Sequence, residues 1–426
     1  MSSIHGKLGQ EALSLLSEEE RSFWGDECAN IPEYCFYPDL HLASQWEAPE
    51  KEAFYMRYCA LPGGRHCIPH GPVNANWRCA SFGDIEISQD IIYKVLSYYI
   101  RRIVFFMRKG DIVESARFAG TTAHLVQDFC TPGHIVNNLL LNRLFPATER
   151  HNDFLHRVFD GFQLEDKPNL KKPCVLGRCT DEAAWRLGGI LAKEAESIIP
   201  CIVHMCSAIR SGRISKKAAR LVHSHQERAI ELSASLWRTC FMLAWKRKVS
   251  AKAFETQSLI ELPMLMECSR KYELAKYAAA GIPFYSNKYP DSDPPRSTFS
   301  TLPYHYEPAV GHLLDAKGRW LPERGDFVAV GSYGSATWLI PGGLFASLET
   351  RCRVNLEGND APFTFGIWCH ETNSLLWHKT LSRKDGEHAV KVALPKKCRT
   401  ISLLSAGPDA FGSSALWLNP KIISRI

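Results

Sequence analysis

The chain has 426 residues with 45% hydrophobic and 23% charged content, enough for two or three domains with packed cores, which excludes a disordered chain. Lysine and arginine (51) exceed aspartate and glutamate (45) by +6, an excess spread along the sequence that favours weak contact with anionic phosphates or membrane surfaces without singling out nucleic acid. The apolar run at residues 103–107 is flanked by Arg101-Arg102 and Arg108-Lys109 and, like the others in the chain, falls far short of the ~20 residues of a membrane span, so no transmembrane segment is expected.

The start, Met1-Ser2-Ser3-Ile4-His5, has no basic stretch leading into an apolar one, so no secretory leader is expected and the chain reads as intracellular. Fifteen scattered cysteines, an odd number without Cys-x-x-Cys pairs, leave at least one free thiol and do not indicate a dense disulfide framework. Several, such as Cys240 between Thr239 and Phe241, read as small buried hydrophobes.

Residues 1 to about 245 read as mostly helical. Residues 32–84, rich in glycine, proline and aromatics, read as a long loop of the kind that lines sites. Residues 88–109 form an amphipathic run closed by Gly110, and Asp111 with Glu114 resembles a capping box opening the next helix. That helix carries His124 and Asp128. Four residues apart, they share one face with Cβ atoms about 5–6 Å from each other, close enough to grip one ion together. Thr131-Pro132-Gly133 then stops the helix and can turn His134 back toward the same cavity. Downstream, His156 and Asp160 repeat the spacing on another expected helix, with His151 as a competing register that would put Leu155 where a carboxylate belongs. Upstream, His5, Asp39, His66 and His70 are further candidate ligands. Asp181 and Ser215 are expected to cap two more long helices, the first interrupted at Pro200 and the second ending near Trp245.

Residues 249–300 read as a linker with a short helix near 259–280. Beyond it, residues 301–426 alternate at period two, as in Phe363/Phe365/Ile367, Val390/Val392/Leu394 and Ile401/Leu403, which predicts half-buried strands. Turn signals at Pro341-Gly342-Gly343, Glu357-Gly358-Asn359-Asp360 and Lys384-Asp385-Gly386 separate them. The expected fold is therefore a multidomain α + β chain, with an all-α domain over 1–248 and an all-β domain over 301–426.

The His-x3-Asp-x5-His pattern of His124, Asp128 and His134, followed by His156, Phe159 and Asp160, resembles the zinc-dependent phospholipase C family. The superfamily also includes zinc-dependent single-strand nucleases. His5 in the first helix and the Pro38-Asp39 step match as well, and the resemblance covers roughly residues 1–245. Aspartate at 160 replaces the family's glutamate. The resemblance implies one zinc held by Asp39, His66 or His70, His124 and Asp128, and a second held by His134, His156 and Asp160. The family's third site would use His5 and Asp128 together with an amino-terminal tryptophan, which this chain lacks; two zincs are therefore expected, and a third only if another group completes it. Asp128 would bridge ions, and Asp39 would both ligate and orient the attacking water, which makes it the candidate catalytic residue. Members of the family are typically exported, so either a leader was removed from this sequence or this member works inside a cell.

The C-terminal stretch resembles the NPCBM family of galactose-binding-type, jelly-roll sandwiches, through Gly331-Ser332-Tyr333-Gly334, Phe345-Ala346-Ser347-Leu348 and Leu416-Trp417-Leu418-Asn419-Pro420. That resemblance implies a carbohydrate-binding module. Trp338, Trp368 or Trp377 could then offer stacking faces to sugars, although an aromatic on a strand is more often core.

Zinc held by histidine and carboxylate acidifies bound water toward neutral pH and offsets charge on a phosphoryl group. The expected activity is thus phospholipase C-type hydrolysis of a phospholipid or glycolipid head group, that is, lipid degradation with peripheral membrane contact. The alternatives are a zinc-dependent nuclease acting on nucleic acid, or a catalytically inactive glycan-binding protein on the same fold.

Overall fold

The computed structural model describes residues 4–38, 58, 85–132, 168–211, 214–247, 249, 254–262, 309–310, 327–330, 334–354, 362–407 and 415–425. They fall into two compact units, Met1–Val249 and Ser250–Ile426. Helices make up the first and antiparallel sheets the second.

The helical unit opens with α1 (Ile4–Ser14), α2 (Glu18–Ser22), a 3-10 turn (Gly25–Asn30) and α3 (Ile31–Tyr34). The long helices are α4 (Ile85–Lys109), α5 (Ile112–Asp128), α6 (Thr180–Ser211) and α7 (Lys216–Ala244). None is long and apolar enough, among the described residues, to cross a membrane. Gly110 closes α4 as its sequence suggests. It sits at φ 71°, where only glycine is unstrained, and Asp111 N–H reaches back to the Phe106 carbonyl at 3.0 Å.

Helix α5 is the centre of this unit, because α1, α3, α4 and α7 all pack on it and every residue from Phe118 to Asp128 is buried. Its polar groups are met from within and from its neighbours. The Thr121 and Thr122 hydroxyls donate to carbonyls one turn back, at 2.9 and 2.6 Å. The buried indoles of Trp24 and Trp237 donate to Ser115 Oγ and to the Ala119 carbonyl, both at 3.1 Å. Each such bond contributes about 1 kcal/mol and fixes the rotation of α5 against its neighbours. Asp111 accepts the Glu114 N–H at 3.1 Å, but only half of the expected capping box forms, since Glu114 accepts from the Tyr58 hydroxyl instead.

Three further helical expectations divide. Ser215 caps α7 as expected, accepting from Ala218 N–H at 3.1 Å. Asp181 does not cap α6; it lies inside the first turn, where its carboxylate takes the Ser97 hydroxyl at 2.9 Å and pairs with Arg101 of α4. Nor is α6 interrupted at Pro200. It runs on to Ser211, because a proline removes one hydrogen bond while packing against α4 and α7 supports the rest of the helix.

The second unit holds ten strands among the described residues, in two antiparallel sheets. One orders β2 (Ala309–Val310), β3 (Phe327–Val330), β10 (Ala415–Ser424), β5 (Phe345–Val354) and β8 (His388–Ala393), with β1 (Thr256–Ser258) also on β10. The other orders β4 (Gly334–Leu339), β9 (Thr400–Ala406), β6 (Phe363–Cys369) and β7 (Ser374–Leu381). Trp417 of β10 meets Phe365 of β6 and Trp377 of β7 edge-on, with centroids 5.3 and 6.1 Å apart, so the sheets form a sandwich. Asn419, at φ 47°, and Pro420 sit at a register shift in β10, where a proline can be placed without breaking the ladder.

Two sequence expectations change here. The stretch expected to be linker contributes β1, and Leu259–Leu262 is turn rather than the start of a helix; backbone pairing with β10 (Leu259 N–H to Pro420 C=O, 2.9 Å) outweighs the local composition. Strand β6 is not half-buried, since all its residues from Phe363 to Cys369 are covered.

Candidate metal centre

Of the expected ligands, the described residues bring three together. His5 comes from the first turn of α1, and His124 and Asp128 from the last turns of α5. One ligand atom from each lies within 4.8 Å of the others, and their exposures are 1%, 0% and 0%. The imidazole rings of His5 and His124 lie 4.2 Å apart between centroids. Asp39, His66, His70, His134, His156 and Asp160, together with His151, lie outside the described residues.

The meeting of α1 with α5 depends on small residues. A Cβ on Gly120 would stand 2.4 Å from Tyr34 Cβ and 3.0 Å from the Cys35 nitrogen. One on Gly9 would stand 3.0 Å from Cys35 Sγ. Both helices therefore approach α3 at backbone distance, and the turn at Cys35 is pressed against the site.

That turn orients His124. Its Nδ1 lies 2.8 Å from the Cys35 carbonyl, which can only accept, so Nδ1 carries the proton and a neutral ring keeps its lone pair on Nε2. His5 is held similarly, with Nδ1 2.9 Å from Gln127 Oε1. The remaining nitrogens face one carboxylate: His124 Nε2 is 3.3 Å from Asp128 Oδ2, and His5 Nε2 is 3.6 Å from Asp128 Oδ1. Two lone pairs and a carboxylate, all buried, repel unless a proton or a cation lies between them.

The distances are compatible with a cation. A direct charge-assisted N–H···O contact closes to about 2.7–2.9 Å, whereas nitrogen and oxygen around a tetrahedral ion at about 2.0 Å stand about 3.3 Å apart. Ring anchoring through Nδ1 to a carbonyl is also the usual support of a metal-bound histidine. The donor set therefore fits zinc. Among the described residues, the Cys35 sulfur does not group with these three ligand atoms, and burial, only partly opposed by a Gln127 hydrogen bond, pushes its thiol up.

The sequence reading missed Gln127 and Cys35. Gln127 adjoins an expected ligand, but no spacing rule marks it, and Cys35 contributes a main-chain carbonyl that every residue type has. A further histidine–carboxylate contact was also unforeseen, between His225 Nδ1 of α7 and Glu194 Oε1 of α6 at 2.6 Å.

The tryptophans expected as sugar platforms are sorted by burial. Trp338 and Trp368 are in the sandwich core, at 0% and 2% exposure, which withdraws them as stacking faces. Trp377 is half-buried and stacks on His388.

No protein-family model matches the sequence, and no curated protein matches it. Among solved structures, the chain is similar to alpha toxin from Clostridium absonum at 12% identity, covering 93% of this chain and 84% of that one, with a TM-score of 0.30. It is also similar to the CBM51 of Clostridium perfringens GH95 in complex with methyl-galactose, at 16% identity over 26% of this chain and 79% of that one, with a TM-score of 0.22. A third similarity is to CBM51-2 and INT domains of Clostridium perfringens ZmpB, in complex with GlcNAc, at 13% identity and a TM-score of 0.21 over 26% of this chain; it spans about a quarter, 24%, of that structure.

Proposed function

We propose that the chain is a zinc-dependent phosphodiesterase of phospholipase C type that cleaves a phospholipid or glycolipid head group. The observation that carries this reading is the convergence of His5 Nε2 and His124 Nε2 on the two oxygens of Asp128, with both rings anchored through Nδ1. It is supported by the sequence motif in which His124 and Asp128 stand. Asp128 would ligate zinc together with His124 and, at a third site if another group completes it, together with His5. Asp39 and His66 or His70 would complete the set of His124 and Asp128, and His134, His156 and Asp160 would hold the second zinc.

Zinc, when bound, supplies Lewis acidity toward the phosphoryl oxygens and lowers the pKa of water. The chain's part is to fix the ligands before substrate arrives. The Cys35 and Gln127 carbonyls set the imidazole tautomers, burial excludes bulk water from the Asp128 carboxylate, and Asp39 would ligate and orient the attacking water. The sandwich, through its resemblance to carbohydrate-binding modules, holds the enzyme at a glycan-bearing surface.

The test is hydrolysis by protein stripped with chelator and reloaded with zinc, offered phospholipid vesicles and single-stranded nucleic acid in parallel. The expected result is zinc-restored release of a phosphorylated head group. Cleavage of nucleic acid alone would replace this reading with a nuclease, and no cleavage of either would leave a binding protein. In the same assay, His156→Ala is expected to be more damaging than His151→Ala; the reverse would show that the second ligand set is read in the wrong register.

A further inference from the structure

Residues that the proposed activity does not use form a second cluster in the sandwich. Cys369 ends β6, Glu371 lies in the turn that follows, and Cys398 ends the turn before β9. One sulfur from each cysteine and one Glu371 carboxylate oxygen lie within 4.8 Å of one another. Cys369 Sγ is 3.8 Å from Glu371 Oε2. Both cysteines are buried and neither is in a disulfide, while Glu371 is exposed.

The two turns are already held in register. Glu371 Oε2 accepts the Arg399 and Thr400 N–H groups at 2.8 and 3.0 Å, and His370 N–H donates to the Thr400 carbonyl at 3.1 Å. Cys398 N–H closes its own turn on Pro395 at 2.9 Å. These bonds fix the carboxylate and both cysteine backbones, so bringing the three donors onto one ion needs side-chain rotation and no refolding. A tetrahedral zinc has sulfur–sulfur and sulfur–oxygen edges of about 3.5–3.8 Å. The Cys369 thiol donates to Glu371 Oε2 at 3.8 Å, so closing this pair onto an ion needs a shift of about 0.3 Å.

We propose that Cys369, Glu371 and Cys398 bind a thiophilic divalent cation of the zinc class, with solvent in the fourth position on the side where Glu371 is exposed. Two thiolates select such an ion over calcium or magnesium, which take oxygen ligands. Each thiol loses its proton to solvent on binding, and the ion bridges the β6–β7 turn and the β8–β9 turn at one end of the four-stranded sheet. This site is independent of the histidine–aspartate centre and of any activity assigned to it.

Cobalt is the probe, because thiolate-to-cobalt charge transfer gives an intense near-ultraviolet band that histidine and carboxylate ligands do not. The full chain, kept reduced and titrated with cobalt, is expected to develop this band. Cys369→Ser and Cys398→Ser should each abolish it, and Glu371→Gln, at an exposed position that leaves the core intact, should weaken cobalt binding at least about tenfold. A wild-type chain with no such band would overturn the proposal whatever the variants do. So would a band unchanged in all three variants, or a Cys369–Cys398 disulfide in the cobalt-treated protein.

Discussion

His5, His124 and Asp128 lie inside a helical unit whose central helix is buried from Phe118 to Asp128, whereas Cys369, Glu371 and Cys398 lie at two turns at the end of a sheet. In the first cluster a single turn of α5 supplies two donors, and main-chain and amide carbonyls orient the rings. In the second, backbone hydrogen bonds join donors at the β6–β7 turn to one in the turn before β9. The difference is one of rigidity. The helical cluster is fixed by packing at its back, through glycine contacts and buried indoles, while the sheet cluster is fixed by backbone hydrogen bonds and opens to solvent at Glu371.

Substitutions that damage each scaffold should separate the two regions. Trp338→Ala removes a fully buried indole from the sandwich and is expected to cost about 3–5 kcal/mol of that unit's stability, with no change in the metal content of the helical centre; denaturant unfolding followed by elemental analysis checks both. Trp377→Ala should cost far less, because that ring is half-buried. A comparable loss from both would contradict the assignment of Trp338 to the core and Trp377 to the margin.

Gly120→Ala is expected to cost about 1–3 kcal/mol, since its Cβ would collide with Tyr34 and force α3 off α5. It should weaken zinc binding as well, by moving the Cys35 carbonyl away from His124. Gln127→Leu isolates orientation from packing. It removes the acceptor for His5 Nδ1 while keeping side-chain bulk, and zinc affinity is expected to fall about 10–100-fold, read by chelator competition. Unchanged affinity would show that Gln127 does not set the His5 tautomer.

The smallest effect is electrostatic. Lys391, 2.8 Å from Glu349 across β5 and β8, holds that carboxyl below its ordinary range. A depressed folded-state pKa contributes stability above the unfolded value of about 4.5 and loses it as pH falls through the folded value. Glu349→Gln should therefore cost under about 1 kcal/mol at pH 7 and nothing in strong acid, as measured by unfolding at both pH values.

The contrast between the clusters also explains how much was legible in the sequence. The His124–Asp128 pair was readable because helical periodicity maps four residues onto one face, and the glycine and aspartate at 110 and 111 marked where that helix begins. The partnership with His5 came only from the family motif. Gln127, the Cys35 carbonyl and the close approach at Gly120 were not readable, since they depend on which helices meet. In the sandwich, the alternation of Phe363, Phe365 and Ile367 located a strand but not its burial on both faces. Cys369 and Cys398 looked like scattered hydrophobes because no local spacing joins them. Strand β1 was hidden in a segment whose composition suggested a linker, for its pairing partner lies at the far end of the chain.

The central claim is that Asp128 holds zinc together with His5 and His124. The most direct measurement is the zinc content, by elemental mass spectrometry, of the folded wild-type chain and of folded Asp128→Asn, both purified without chelator and dialysed against trace zinc. The account predicts that the variant loses at least one zinc per chain. Equal zinc content in the two proteins, or no zinc in the wild type under these conditions, would contradict it.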